Sequence, residues 1–338
     1  MRAVSLESVI QATRWPLARG RLVGVLALLA LLAAMPALTS DFRTVLVTEI
    51  LILALFAMSF NLLFGYTGLL SFGHAAYFGL GAYGAALILK EIRPSIPLAL
   101  VGGTILATLA GLVIGYFCVR LDEIYFAMLT LAFAQMVFAI ADKWTSVTGG
   151  SDGLVGIPRS PLRFLALELS IADIPRYYYF TLVLVVAASW VLWRIVNSPF
   201  GLTLKAIRES PERAEFTGIP VRHYRLMAFV LSAAFSGLAG AIFAPFERAI
   251  TPQITFWSKS AEPVFMSLLG GMRIFLGPAV GSAIFMVIKE VISSRTEFWA
   301  IVLGAVLIAL VIFLPGGIAH FAYARLNRWT QPRLLLDG

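Results

Sequence analysis

Nine apolar runs of span length, with a tenth shorter one, decide what solvent this chain folds in. A helix needs about 20 predominantly apolar residues to cross a hydrocarbon core. Runs of that order lie at residues 22–38, 45–64, 69–89, 97–119, 124–141, 177–193, 226–245, 274–288 and 298–319. The piece at 263–272 suits a half helix or a very short span. The 26 Lys and Arg and 18 Asp and Glu nearly all sit at the ends of these runs. A single Asp, Lys or Arg at a helix centre costs about 2.5–3.5 kcal/mol on insertion, which explains that placement. With the short piece counted as a crossing, the expected fold is an all-α integral membrane protein: a polytopic bundle of about ten transmembrane helices, both termini on one side.

Composition closes the alternatives. The 338 residues are 60% apolar and 13% charged, and the mean hydropathy is +0.90. A soluble domain carries about 45–50% apolar and about 25% charged residues. Cys118 is the only cysteine, so no disulfide closes within the chain. The net charge of +8 is scattered between apolar runs rather than gathered on one face, which excludes a nucleic-acid partner. Of the 26 Lys and Arg, 15 fall in segments that share a side when both ends are placed in the cytoplasm, as the positive-inside rule requires. The basic stretch before residue 22 is followed by a run of span length, and reads as a first, uncleaved helix rather than a cleaved signal.

These features divide the chain into a cytoplasmic tail (1–21), one transmembrane domain (22–320) and a second cytoplasmic tail (321–338). Within the domain, residues 143–176 hold Gly, Pro, Ser and Asp and read as an external loop with short helices. Residues 197–224 are the polar centre of the chain and read as a cytoplasmic loop. There Lys205, Arg208, Glu209, Arg213, Ala214 and Glu215 fall on a short amphipathic helix, with Gly218 and Pro220 ending it. Such a run is either a solvated face or a docking element.

The glycines carry the second signal. Gly79-x-Gly81-x-x-Gly84 has the spacing of a dinucleotide fingerprint, but it lies in an apolar run with no strand before it, so close helix packing is its reading. Gly111-x-x-x-Gly115 and Gly277-x-x-x-Gly281 follow the same logic, facing either this chain or a partner. Gly65, Gly68 and Gly73 puncture the run before His74 and are expected to break the helix. Irregular backbone at membrane depth survives only in protein or beside a water-filled cavity, and in transporters it lies beside the solute path. Asn61, Ser71, His74, Tyr77 and Gln135 are the candidate path residues, with helix-joining hydrogen bonds as the alternative role of the polar ones. Gly149-Gly150-Ser151-Asp152-Gly153 reads as a tight turn, with Asp152 bonding its own backbone.

No metal-ligand set, catalytic triad or G-x-x-x-x-G-K-[ST] phosphate loop is present, so nucleotide chemistry would reside on a partner. An intramembrane enzyme or an ion-coupled carrier would bring catalytic or coupling carboxylates into the spans, and these runs carry few.

Four stretches in chain order resemble the permeases of branched-chain amino acid ABC importers, the LivM type. They are NLLFGYTGLLSFGHAAYFGLGAYGAALI from Asn61, TGGSDGLVGIP from Thr148, the polar segment from Ser198, and GGMRIFLGPAVGSAIF from Gly270. Arg213-Ala214-Glu215 and Gly218 occupy the place of that family's Glu-Ala-Ala and later glycine, and the departure is that Glu212-Arg213-Ala214 stands instead of Glu-Ala-Ala. The resemblance implies an inner-membrane subunit that pairs with a second, homologous permease. It implies two cytoplasmic ABC ATPases gripping the coupling segment, with ATP and magnesium bound on them and no cofactor on this chain. It implies an external solute-binding protein docking near the 149–153 turn and delivering a branched-chain amino acid, with urea, amides or aromatic acids as alternatives.

Overall fold

The computed structural model describes residues 19–313, apart from 122, 165–166 and 297, together with 317–318. Residues 1–18 and the tail expected at 321–338 lie outside the described residues. The helices are α1 (Arg19–Leu38), α2 (Asp41–Thr67), α3 (His74–Leu87), α4 (Ile96–Cys118), α5 (Glu123–Lys143) and α6 (Ile174–Val196). They continue with α7 (Pro199–Glu209), α8 (Pro211–Phe216), α9 (Val221–Glu247), α10 (Trp257–Gly270), α11 (Gly277–Ser293) and α12 (Trp299–Phe313). Prolines open α4, α6, α7, α8 and α11 within their first two positions, where a missing N–H costs nothing. By length and composition α2, α4, α5, α6 and α9 can each cross a membrane, and the chain is an all-α polytopic membrane protein.

The centre of the bundle is α3, held between α4 and α9 by missing side chains. A Cβ on Gly81 would lie 2.1 Å from the Gly237 carbonyl oxygen of α9, and one on Gly240 would lie 1.8 Å from that of Phe78. A Cβ on Gly103 of α4 would lie 2.4 Å from the Gly81 oxygen. The Gly79–Gly84 glycines are therefore packing devices, as their setting in an apolar run predicts. Gly111 and Gly115 meet Ala233 and Phe229, while Gly277 and Gly281 meet the C-terminal end of α10. Both motifs face this chain.

The break expected before His74 is present: residues 68–73 are non-helical, and α3 begins at His74 and runs on into a π turn, Ile88–Ile92. Three expectations about elements are corrected. The short apolar piece at 263–272 belongs to a longer helix, α10, which starts at Trp257 and passes through Pro263. The amphipathic segment is two helices, because Ser210 is extended ahead of Pro211 and caps α8 through its side chain. The 143–176 loop contains strands as well as short helices: β1 (Leu154–Val155) pairs antiparallel with β4 (Ala249–Ile250), and β2 (Leu162–Phe164) with β3 (Leu167–Leu169). A short strand pairing supplies the backbone partners a long polar loop otherwise lacks.

Candidate functional site: a broken helix and a polar lever

The interruption at 68–73 is tied down on both sides. Gly68 takes φ +82, closing α2 with its N–H donating to the Leu63 carbonyl, a left-handed position that glycine fills without strain. The Phe72 N–H donates to Thr130 Oγ1 of α5 at 3.2 Å, and the Gly73 N–H to Ser71 Oγ at 3.2 Å. The Ala75 N–H at the start of α3 donates to Ser260 Oγ of α10 at 2.9 Å. Neighbouring spans thus satisfy backbone that a broken helix leaves open.

His74 is fully buried. Its Nε2 lies 2.7 Å from Ser232 Oγ. Ser232 donates its own hydrogen to the Ser59 carbonyl at 2.5 Å, so the histidine Nε2–H is the donor in that pair. Ser59 Oγ donates to the Phe56 carbonyl at 2.7 Å and accepts from Ser236 Oγ at 2.8 Å. The rings of Phe60, Tyr77 and Phe229 pack against the imidazole at interplanar angles of 85°, 90° and 60°, with centroids at 5.0, 5.9 and 6.5 Å. His74 and Tyr77 therefore belong to a packed seam joining α2, α3 and α9. Ser71 is also buried. Gln135 is half-buried on α5 and makes no hydrogen bond among the described residues. Asn61 is buried, donates to the Met272 carbonyl at 3.1 Å, and keeps its Oδ1 without a partner among the described residues.

The polar helices α7 and α8, the candidate coupling lever, pack against one end of the bundle. Arg208, on α7, turns inward: its guanidinium donates to the Gly65 carbonyl in the last turn of α2 and lies 4.0 Å from Met272 Sδ. Lys205 Nζ sits 5.5 Å from the Tyr66 ring centroid. Gly65, Tyr66, Lys205, Arg208, Glu209 and Arg273 line a cleft of about 210 Å³ between lever and bundle. On α8, Ala214 is buried and packs with Ile207 and Val221. Arg213, Glu215 and Gly218 stay exposed. Gly218 takes φ +86, and open space surrounds the place a Cβ would take, so it ends α8 in a conformation that a side chain would strain. Phe216, absent from the candidate residues, is 90% exposed beside them. An apolar ring alone in a charged run is the signal that marks it in the sequence.

The 149–153 turn lies at the opposite end. Gly149, Gly150 and Gly153 take φ of +77, +64 and +73, and Ser151 and Asp152 are exposed. The turn is held by Thr148 rather than by Asp152: Thr148 Oγ1 donates within the Ala141–Trp144 turn, at 2.6 Å to Ala141, and accepts from the Gly150 N–H at 3.3 Å. Arg159 fastens the loop to the end of α9, donating to the Pro245, Phe246 and Ala172 carbonyls at 2.9, 2.8 and 3.3 Å. Burial pulls the pKa of its guanidinium below the usual range.

A third polar group is not legible as such in the sequence. Glu49 of α2 lies within electrostatic reach of Lys259 and Glu262 of α10, of Lys289 of α11 and of Glu247 at the end of α9. The lysine nitrogens stand 2.5 and 3.6 Å from the two Glu262 oxygens. No group of three or more possible metal ligands occurs among the described residues.

Comparison with known proteins places this geometry. The family model described as "Branched-chain amino acid transport system / permease component" matches residues 43–311. The chain is 27% identical over 333 residues to the high-affinity branched-chain amino acid transport system permease protein LivM of Escherichia coli, covering 93% of this chain and 76% of the relative. The LivM of Salmonella typhimurium is 26% identical with the same coverage. A probable branched-chain amino acid transport permease protein LivH of Methanocaldococcus jannaschii is 26% identical, covering 82% of this chain and 91% of its own. No solved structure matches the chain.

Proposed function

The chain belongs to the branched-chain amino acid transport permease family, and from that premise we propose how this permease subunit works. It pairs with a second, homologous permease, and two cytoplasmic ATPases that hold the ATP and magnesium drive the pair. An external binding protein delivers the solute, a branched-chain amino acid. Residues 22–320 form one transmembrane domain of ten crossings in the inner membrane, with the interrupted 68–87 segment and α10 each counted once. Both termini, α7 and α8 then lie in the cytoplasm, and the 143–176 loop outside. The two short helices fit the part of a lever, since their exposed face combines Arg213, Glu215 and Phe216 while the buried face of Ala214 and Ile207 keeps them rigid.

The observation that carries the reading is the Arg208 grip. Movement of α7 pulls on the Gly65 carbonyl and on Met272, beside the two places where the crossings are interrupted, 68–73 and 271–276. Those interruptions supply the flexible backbone. The glycine-packed α3, α4 and α9 then tilt as a block and change which side of the solute path is open.

Uptake of labelled leucine by the complex of permeases, ATPases and binding protein in liposomes tests the whole reading. Arg213→Glu, Phe216→Ala and Gly218→Val are expected to abolish ATP-driven uptake and lower ATPase co-purification while leaving membrane insertion intact. Ala214→Trp, at a buried position, is expected to fail in folding instead. Full uptake in the first three variants overturns the lever assignment.

A further inference from the structure

The cleft between α7 and the bundle holds more positive charge than its own carboxylate can neutralise. Lys205, Arg208 and Arg273 line it together with Glu209, and the buried Gly65 and Tyr66 form its inner wall. Glu209 makes no ion pair with any of the three among the described residues. Arg208 gives N–H groups to the Gly65 carbonyl and to Met272 Sδ, two neutral acceptors, out of the five that a guanidinium carries. Lys205 meets the Tyr66 ring. Arg273 is exposed at the cleft mouth. Three like charges gathered beside one unpaired carboxylate repel one another unless an anion joins them.

Depth and surroundings say which anion. The apolar run of α2 covers residues 45–64, about 30 Å of helix, which is the thickness of a hydrocarbon core. Gly65 and Tyr66 follow it directly, so the cleft opens at the headgroup level, where tyrosine is enriched. An apolar track starts beside it. Leu276, three residues after Arg273, and Val280, Val287 and Val291 of α11 are all exposed, and their spacing of four, seven and four places them on one helix face. That face runs for about 22 Å, longer than one leaflet of the core at about 15 Å. The cleft volume of about 210 Å³ equals about seven waters at roughly 30 Å³ each. It admits a headgroup phosphate but falls short of the roughly 300–1,000 Å³ of pockets that enclose larger ligands.

We propose that Lys205, Arg208 and Arg273 form a binding site for the phosphate of an anionic phospholipid, whose acyl chain lies along the Leu276–Val291 face. The two guanidinium groups offer N–H donors in the fork geometry that suits phosphate oxygens, and Lys205 adds a point charge. The bound phosphate joins α7 to the 271–276 interruption and supplements the Arg208 contact. The site needs only that α2 crosses a membrane; it is independent of the solute and of the direction of transport.

The test places the full-length chain in nanodiscs of phosphatidylcholine alone, of equal parts phosphatidylcholine and phosphatidylglycerol, or of phosphatidylcholine with millimolar inorganic phosphate in the buffer. Lysines are acetylated and the rates read by peptide mass spectrometry. Phosphatidylglycerol is expected to slow acetylation of Lys205 severalfold relative to Lys143, an exposed lysine at the end of α5, and inorganic phosphate to leave it unchanged. Arg273→Gln, at an exposed position where folding is not at stake, is expected to remove the protection although the membrane surface keeps its charge. Native mass spectrometry of the detergent-solubilised chain should show phosphatidylglycerol held about tenfold more weakly by the same variant. Equal slowing at Lys143, no slowing at all, protection that survives Arg273→Gln, or an unchanged affinity overturns the site. Slowing by inorganic phosphate to the same degree overturns the lipid as its occupant. None of these readouts involves transport, so the importer reading stands or falls separately on leucine uptake.

Discussion

Arg208→Ala should leave a folded permease whose ATP hydrolysis no longer moves solute. The side chain bridges the lever to the Gly65 carbonyl near the end of α2, a helix end whose last carbonyls lack partners in the helix. It also covers Gly68, where its Cγ lies 3.1 Å from the position a Cβ would take. A hydrogen bond from a charged donor contributes about 1.5–3 kcal/mol. At about 1.4 kcal/mol per factor of ten, losing it weakens the mechanical link by roughly tenfold to a hundredfold. The loss falls on coupling rather than on folding, because α7 keeps its buried Leu204 and Ile207. The assay is the number of ATP molecules hydrolysed per leucine taken up by the reconstituted complex, with size-exclusion elution as the check on assembly. Arg208→Lys keeps the charge but not the planar fork, and should fall between wild type and Arg208→Ala. An unchanged ATP-to-leucine ratio in Arg208→Ala refutes the transmission route, as does a loss of assembly equal to the loss of uptake.

Other consequences are separable. Gly81→Ala forces a Cβ to 2.1 Å from the Gly237 oxygen, and overpacking of this kind costs about 1–3 kcal/mol; the melting temperature in detergent should drop accordingly, and an unshifted value contradicts the packing role. Ser232→Ala strands the buried His74 Nε2–H, at a cost of about 1–3 kcal/mol, and chemical unfolding of the purified subunit measures it; stability equal to wild type means that the seam is held otherwise. Arg159→Ala removes donors from three carbonyls, so the 143–176 loop should become cleavable by added protease while the spans stay protected.

What is legible in the sequence follows the range of the forces involved. Apolar runs mark the spans because insertion energy is local, and the Gly-rich stretch before His74 forecasts a break because glycine and missing side chains act within a few residues. The lever is legible for the same reason, as a polar segment between two apolar runs. Contacts between distant residues are not. Glu49, Glu262 and Lys289 are separated by more than 200 positions at the extremes, and each alone looks like an ordinary charge near the edge of a run. Arg208 groups by spacing with the exposed lever residues, since helical periodicity fixes a face but not which face meets the bundle. The turn at 149–153 is legible as tight through its glycines, yet its fastening belongs to Thr148 and to Arg159, whose partners lie on another helix.

In the proposed mechanism the lever acts on hinges rather than on packed helices because of where the glycines lie. Between α3, α4 and α9 the missing Cβ atoms bring backbones into direct contact, and interiors packed that closely shift as rigid bodies. At 68–73 and 271–276 the opposite holds: helix is lost, Gly68 and Gly271 take positive φ, and fewer ladder bonds resist rotation. Asn61 donates to the Met272 carbonyl, and Arg208 touches both Gly65 and Met272, so both interruptions meet at one small polar cluster. A push on α7 is therefore delivered at the two softest places in the bundle, and the rigid glycine-packed block must follow as a unit. A bundle of ten uninterrupted helices with the same lever would spread that push over every helix contact and open nothing.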